Sequence, residues 1–171
     1  MKKILSLVIG LSLASVCFAQ TDPVIGFWLS VDEKTNKVSA GWQIYVENDI
    51  LYGKILSVPD QPRDALATEC KDSYKNFPVA GKVNKMPLAG TPFIFGLTQH
   101  SPGEWRNGNV IDPNDGNIYG CRVIFREAGS RIPGKMFQTD TLEMRGNLGP
   151  FNRSQFWRKT DQATASGQWP N

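Results

Sequence analysis

The sequence predicts an all-β domain, a small antiparallel barrel or sandwich, and three observations carry that prediction. Beyond the first nineteen residues, strand-like segments rich in β-branched, aromatic and leucine residues alternate with Gly, Pro, Asn and Asp clusters. No stretch there sustains a helical apolar period. Finally, two long alternating segments are separated only by Asn48-Asp49, residue types that tolerate the positive φ of a tight hairpin.

The chain opens differently. Met1-Lys2-Lys3 is a short positive region, Ile4 to Cys17 is uncharged and mostly apolar, and Ala19 ends a small-residue cleavage pattern. Residues 1–19 therefore read as a secretory signal peptide, too short and wrongly flanked for a membrane span. Its removal leaves no transmembrane segment and places the mature chain in the periplasm or outside the cell. Acylation of Cys17, giving a lipoprotein, is the weaker reading because Val16 is bulky just before it.

Taking 19 residues from 171 leaves 152, starting at Gln20, enough for one domain with its own core. Losing Lys2 and Lys3 reduces 19 basic residues to 17 against 16 acidic ones, a net charge of +1. No basic stripe of the kind nucleic-acid binding requires is present.

The strands follow in order. Val24 to Val31 comes first, then Val38 to Glu47 and Ile50 to Val58 as the hairpin. Its two-residue loop sets Glu47 against Ile50, Ile44 against Gly53 and Trp42 against Ile55, so Trp42, Ile44, Val46, Leu51 and Ile55 share one apolar face. Trp105 to Ile111, Ile118 to Glu127, Thr141 to Leu148 and Arg153 to Lys159 complete the long strands. Short strands near Gly81 to Met86 and Pro92 to Leu97 would bring the total to eight or nine. Along Ile118 to Glu127, Tyr119, Cys121, Val123 and Phe125 share a face; Leu142 and Met144 do so on the next strand. Each strand is half polar, as a sheet with one solvated side requires.

Pro59 to Pro78 is a long connection carrying Cys70, and reads equally as a binding loop or a solvated crossover. Gly129 to Asp140 reads as a polar loop. The domain spans residues 20–160, and residues 161–171 read as a flexible tail that frays. Cys70 and Cys121 remain after processing. In an oxidising compartment they read as one disulfide, worth about 4 kcal/mol for a loop of about fifty residues; two separate buried thiols are the alternative.

No catalytic constellation is visible. His100, the sole histidine, lies in a turn composition and cannot build a zinc site alone. Asp112 to Asn117 has oxygen ligands in a row, yet Gly116 is fifth where a calcium loop needs it sixth, so the segment reads as a turn. Asp32/Glu33, Asp60/Asp64 and Asp112/Asp115 lie in turns or polar loops, where carboxylates stay solvated. No metal or cofactor is implied. Arg122, Arg126, Arg145, Arg153 and Arg158 fall on strands, either covering apolar neighbours with their stems or meeting an anion at a barrel rim.

Several segments together resemble a known family: Gly26-Phe27-Trp28, Leu51-Tyr52-Gly53-Lys54-Ile55, Cys70-Lys71-Asp72, Asn76-Phe77-Pro78, Gly116-Asn117-Ile118-Tyr119-Gly120-Cys121 and Gln155-Phe156-Trp157-Arg158. Over nearly all of Asp22 to Lys159 the chain resembles the exported bacterial family called domain of unknown function 2147. That resemblance implies a lipocalin-like (calycin) barrel, in which Gly26 and Trp28 close one end and Arg158 or Arg145 packs on the indole. It implies no activity. A non-enzymatic barrel of about eight strands is thus expected, holding a small, largely apolar ligand. Trp42, Ile44, Gly53, Tyr119, Phe125 and Met144 are the candidate ligand-binding residues. A filled barrel that binds or inhibits an envelope protein is the alternative, with Tyr45 and Tyr52 in the interface.

Overall fold

Eight antiparallel strands close on themselves in a computed structural model that describes residues 21–149 and 151–170. The signal segment lies outside the described residues. In chain order the strands are β1 (Gly26–Val31), β2 (Val38–Glu47), β3 (Ile50–Ser57), β4 (Ile94–Ser101), β5 (Glu104–Ile111), β6 (Ile118–Arg126), the short β7 (Arg131–Ile132) and β8 (Lys135–Met136), β9 (Thr141–Leu148) and β10 (Phe151–Thr160). A helix, α1 (Gln162–Ser166), follows. The barrel order is β1-β10-β9-β6-β5-β4-β3-β2, with β7 and β8 forming a separate hairpin. Closure removes the free edges that an open sheet would expose.

The β2–β3 register is the one its two-residue loop dictates, Glu47 against Ile50 through Trp42 against Ile55. Asn48 and Asp49 adopt φ of 50° and 62°, matching the right-handed twist of the strands they join. Consequently Trp42, Ile44, Leu51 and Ile55 are buried, while Tyr45 and Tyr52 stack outside with ring centroids 5.6 Å apart.

One half of the barrel is packed solid. Trp28 is fully buried at its end, and its indole N–H donates to the Val24 carbonyl at 2.9 Å. Gly26 enters this strand with φ of 139°, a conformation that favours glycine. The cation over Trp28 is Lys159, its cross-strand partner, with Nζ 6.0 Å from the Trp28 ring and 5.7 Å from that of Phe125. Arg158 and Arg145 do not take this position. Trp157 is buried inside, so strand parity turns Arg158 outward, where it bonds Asn36. The same parity turns Arg145 outward beside inward Met144.

Three further expectations are corrected. Gly81 to Met86 is no strand: Val83–Lys85 forms a 3₁₀ turn, because Lys82 and Asn84 reach back to Asp72 at 2.6 and 2.7 Å. The tail is not without structure, for a helix forms within it. Asp161 caps α1 by accepting from the Thr164 N–H at 2.8 Å, and Ala165 is fully buried. Ser57 Oγ donates to the Ala165 carbonyl at 2.5 Å and accepts from the Gln168 N–H at 3.0 Å. A Cβ at Gly41 would overlap that same carbonyl, so glycine on β2 is what lets the helix dock. Lastly, Cys70 and Cys121 are both free and buried, without the expected disulfide. Cys70 lies against Gly116, whereas Cys121 sits three strand residues beyond Ile118. Burial raises the Cys121 thiol to about 12, so it stays protonated.

Candidate ligand site

The other half of the barrel is open inside, with a cavity of about 470 Å³, within the usual range for small-molecule sites. Strand chemistry explains where the space comes from. Across the inner face, Arg153 on β10 pairs with Gly146 on β9, and Gly146 pairs with Cys121 on β6. Gly146 leaves a gap in the middle of this row. A Cβ at Gly146 would have only the Tyr119 Cβ near it, 3.8 Å away. In the packed half, a Cβ at Gly53 would already meet Ile44 Cδ1 at 2.8 Å and Ile94 Cβ at 3.0 Å.

Two indoles form the main apolar surface. Trp42 and Trp157 stack with ring centroids 4.9 Å apart, and both line the cavity. Their N–H groups are satisfied within the wall. Trp42 Nε1 donates to Ser30 Oγ at 3.1 Å, which is itself tied to Ser39 Oγ at 2.8 Å. Trp157 Nε1 donates to Gln155 Oε1 at 3.1 Å. Neither indole N–H is therefore spare for a ligand.

Of the sequence-derived candidates, Trp42, Tyr119 and Met144 come together in this cavity. Ile44 and Gly53 lie in the packed half, in contact with each other across β2 and β3. Phe125 lies at the closed end under Lys159. Parity alone places all six on inner faces; it does not say at which depth the barrel is hollow. Gln155 and Trp157 were missed for a related reason. Phe156 and Trp157 are adjacent aromatics, so the alternation of β10 cannot be read from composition there.

The long connection before β4 roofs part of the cavity with Leu66, Thr68, Glu69 and Leu88. It is pinned rather than loose. The Ala67 N–H donates to the Met86 carbonyl at 2.9 Å, Leu88 N–H to Ala65 at 2.8 Å, and Gly90 N–H to Ile55 at 2.8 Å. Tyr74 OH donates to the Gly116 carbonyl at 2.7 Å, joining this loop to the β5–β6 turn. In that turn Asp112 Oδ1 accepts from the Asn114 N–H at 3.0 Å and Gly116 adopts φ of 66°, as a turn requires. His100 is exposed on β4 rather than in a turn, and it is not among the cavity residues.

The strand arginines divide sharply. On the outer wall Arg126 holds the buried Glu143 through Nε at 2.8 Å and Nη2 at 2.6 Å, and Ser154 Oγ donates to the same carboxylate at 2.6 Å. Arg106 and Arg122 both pair with Glu104. Burial pushes the Glu104 carboxyl up, but these two guanidiniums outweigh it and hold it below its ordinary value. Arg153 alone of the strand arginines lines the cavity.

Comparison with known proteins supports the architecture. The solved structure of HP1028 from Helicobacter pylori, described as belonging to the lipocalin family, is similar with a TM-score of 0.61. The two are 14% identical over 84% of this chain and 87% of that one, so the likeness concerns the fold. No curated protein matches the chain. The family model described as "Uncharacterized protein conserved in bacteria (DUF2147)" matches residues 26–159, and the chain belongs to that family.

Proposed function

We propose that this protein is an exported, non-enzymatic binder of a small molecule, held in the open half of the barrel. The observation that carries the reading is the contrast between the two halves. A barrel built only as a scaffold would be packed throughout, as it is around Gly53; here about 470 Å³ is left open beside a pair of stacked tryptophans. Trp42, Trp157, Tyr119 and Met144 are the proposed contacts. The lipocalin-like fold favours the same reading, as an analogy. The segment 1–19 supports export to the periplasm or beyond.

The reading refines in one respect the largely apolar ligand that the sequence suggests. Ser30, Gln155, Asn114 and Arg153 give the cavity a polar side, so the proposed ligand is amphipathic. The test is native mass spectrometry of protein purified from its own envelope. A defined non-covalent adduct, released on denaturation and absent from Gly146→Leu, is expected. A bare mass in every preparation counts against the carrier.

A further inference from the structure

Deepening that carrier reading, on which it rests, we infer that the ligand carries an anionic group, a carboxylate in the first instance, which Arg153 holds while the apolar body lies against Trp42 and Trp157. The argument is one of unspent donors. Arg122 and Arg126 are committed to carboxylates on the outer wall, and Arg158 to Asn36. The exposed Arg153 side chain makes no ion pair or hydrogen bond among the described residues, and it lies on the inner side of β10 at the cavity. Gly146 directly across from it leaves the guanidinium room to reach inward.

Its neighbour on the same face strengthens the case. Gln155, about 7 Å further along the strand, spends its carbonyl oxygen on Trp157 and keeps its NH₂ group as a donor. β10 therefore presents two donor groups, one charged, to the same cavity that the stacked indoles of Trp42 and Trp157 line. A planar guanidinium matches a carboxylate in a two-bond geometry that a neutral acceptor cannot reproduce. Two acidic groups also border the cavity. The Asp112 carboxylate is occupied by the backbone and side-chain amides of Asn114, and Glu69 is exposed on the roof, where it bonds Thr68. Neither pairs with Arg153.

A matched pair of probes tests this. Naphthaleneacetate and naphthaleneacetamide share an aromatic body and differ in charge. Both are titrated against the mature protein and Arg153→Gln, reading tryptophan fluorescence. Wild type should bind the acid at least tenfold more tightly than the amide, and added salt should narrow the gap. Arg153→Gln should lose that preference, and an unchanged urea midpoint reports that the variant is folded. Equal binding of both probes by wild type would overturn the anion assignment and leave the carrier reading intact. Saturable binding of neither would overturn both.

Discussion

Leucine placed at Gly53 and at Gly146 should separate stability from binding, because the two positions face opposite halves of one interior. At Gly53 the Cβ alone would lie 2.8 Å from Ile44 Cδ1 and 3.0 Å from Ile94 Cβ, both fully buried neighbours. The Ile44 tip would have to move within a buried cluster, while Ile94 Cβ is fixed to its strand. Overpacking of this kind costs about 1–3 kcal/mol. With a urea m-value of roughly 1–3 kcal/mol/M, the denaturation midpoint should fall by about 1 M. At Gly146 the first contact is an ordinary one, 3.8 Å to Tyr119 Cβ, and the side chain extends into the cavity. Replacing a strand glycine also removes unfolded-state freedom worth about 0.5–1 kcal/mol. Gly146→Leu should therefore match or exceed the wild-type midpoint, yet abolish saturable quenching by naphthalene probes. Gly53→Leu, assayed well below its midpoint, should still bind. Equal destabilisation by the two variants, or loss of binding at Gly53 alone, would refute the division of the barrel into packed and open halves.

Other outcomes follow from the packed half and the outer wall. Trp28→Ala should cost about 3–5 kcal/mol, since it empties a fully buried end, and should exceed Trp169→Ala, read as urea midpoints. Unfolded protein under non-reducing conditions should accept two thiol labels, from Cys70 and Cys121; no uptake would mean that they are paired. Burial raises the Cys121 thiol above its unfolded value, so its contribution is complete below about pH 8.5–9 and is lost as pH climbs toward 12. Wild type should accordingly lose more stability than Cys121→Ala over that alkaline range. Arg126→Met should cost about 1–3 kcal/mol by leaving the buried Glu143 with Ser154 as its remaining partner; an unchanged midpoint would show that the pair adds nothing.

The β2–β3 hairpin was legible in full because a two-residue loop leaves no freedom of register: one choice of turn fixes every inward residue from Trp42 to Leu51. Elsewhere the sequence was silent for physical reasons. The partner of Trp28 is set by how β10 meets β1, a pairing of segments about 130 residues apart that no local pattern encodes, and Lys159 wins over its neighbour Arg158 by parity alone. α1 has a capping aspartate at Asp161 and a following Gly167, but five residues are too few to show periodicity. Its existence depends on a gap at Gly41, visible only once the sheet is built. The cavity was half legible. Alternation found inward residues, while its depth depends on which glycines oppose large side chains and which oppose nothing.

Arg153, Gln155 and Trp157 all come from β10, the last strand along the chain. The site cannot exist until every other strand of the barrel is in place. The early hairpin forms from neighbours in sequence, whereas β1 must wait for β10 across nearly the whole domain, which makes ring closure the slow, non-local event. A ligand can grip only the closed ring, so occupancy would act as a latch on the final strand and slow its release.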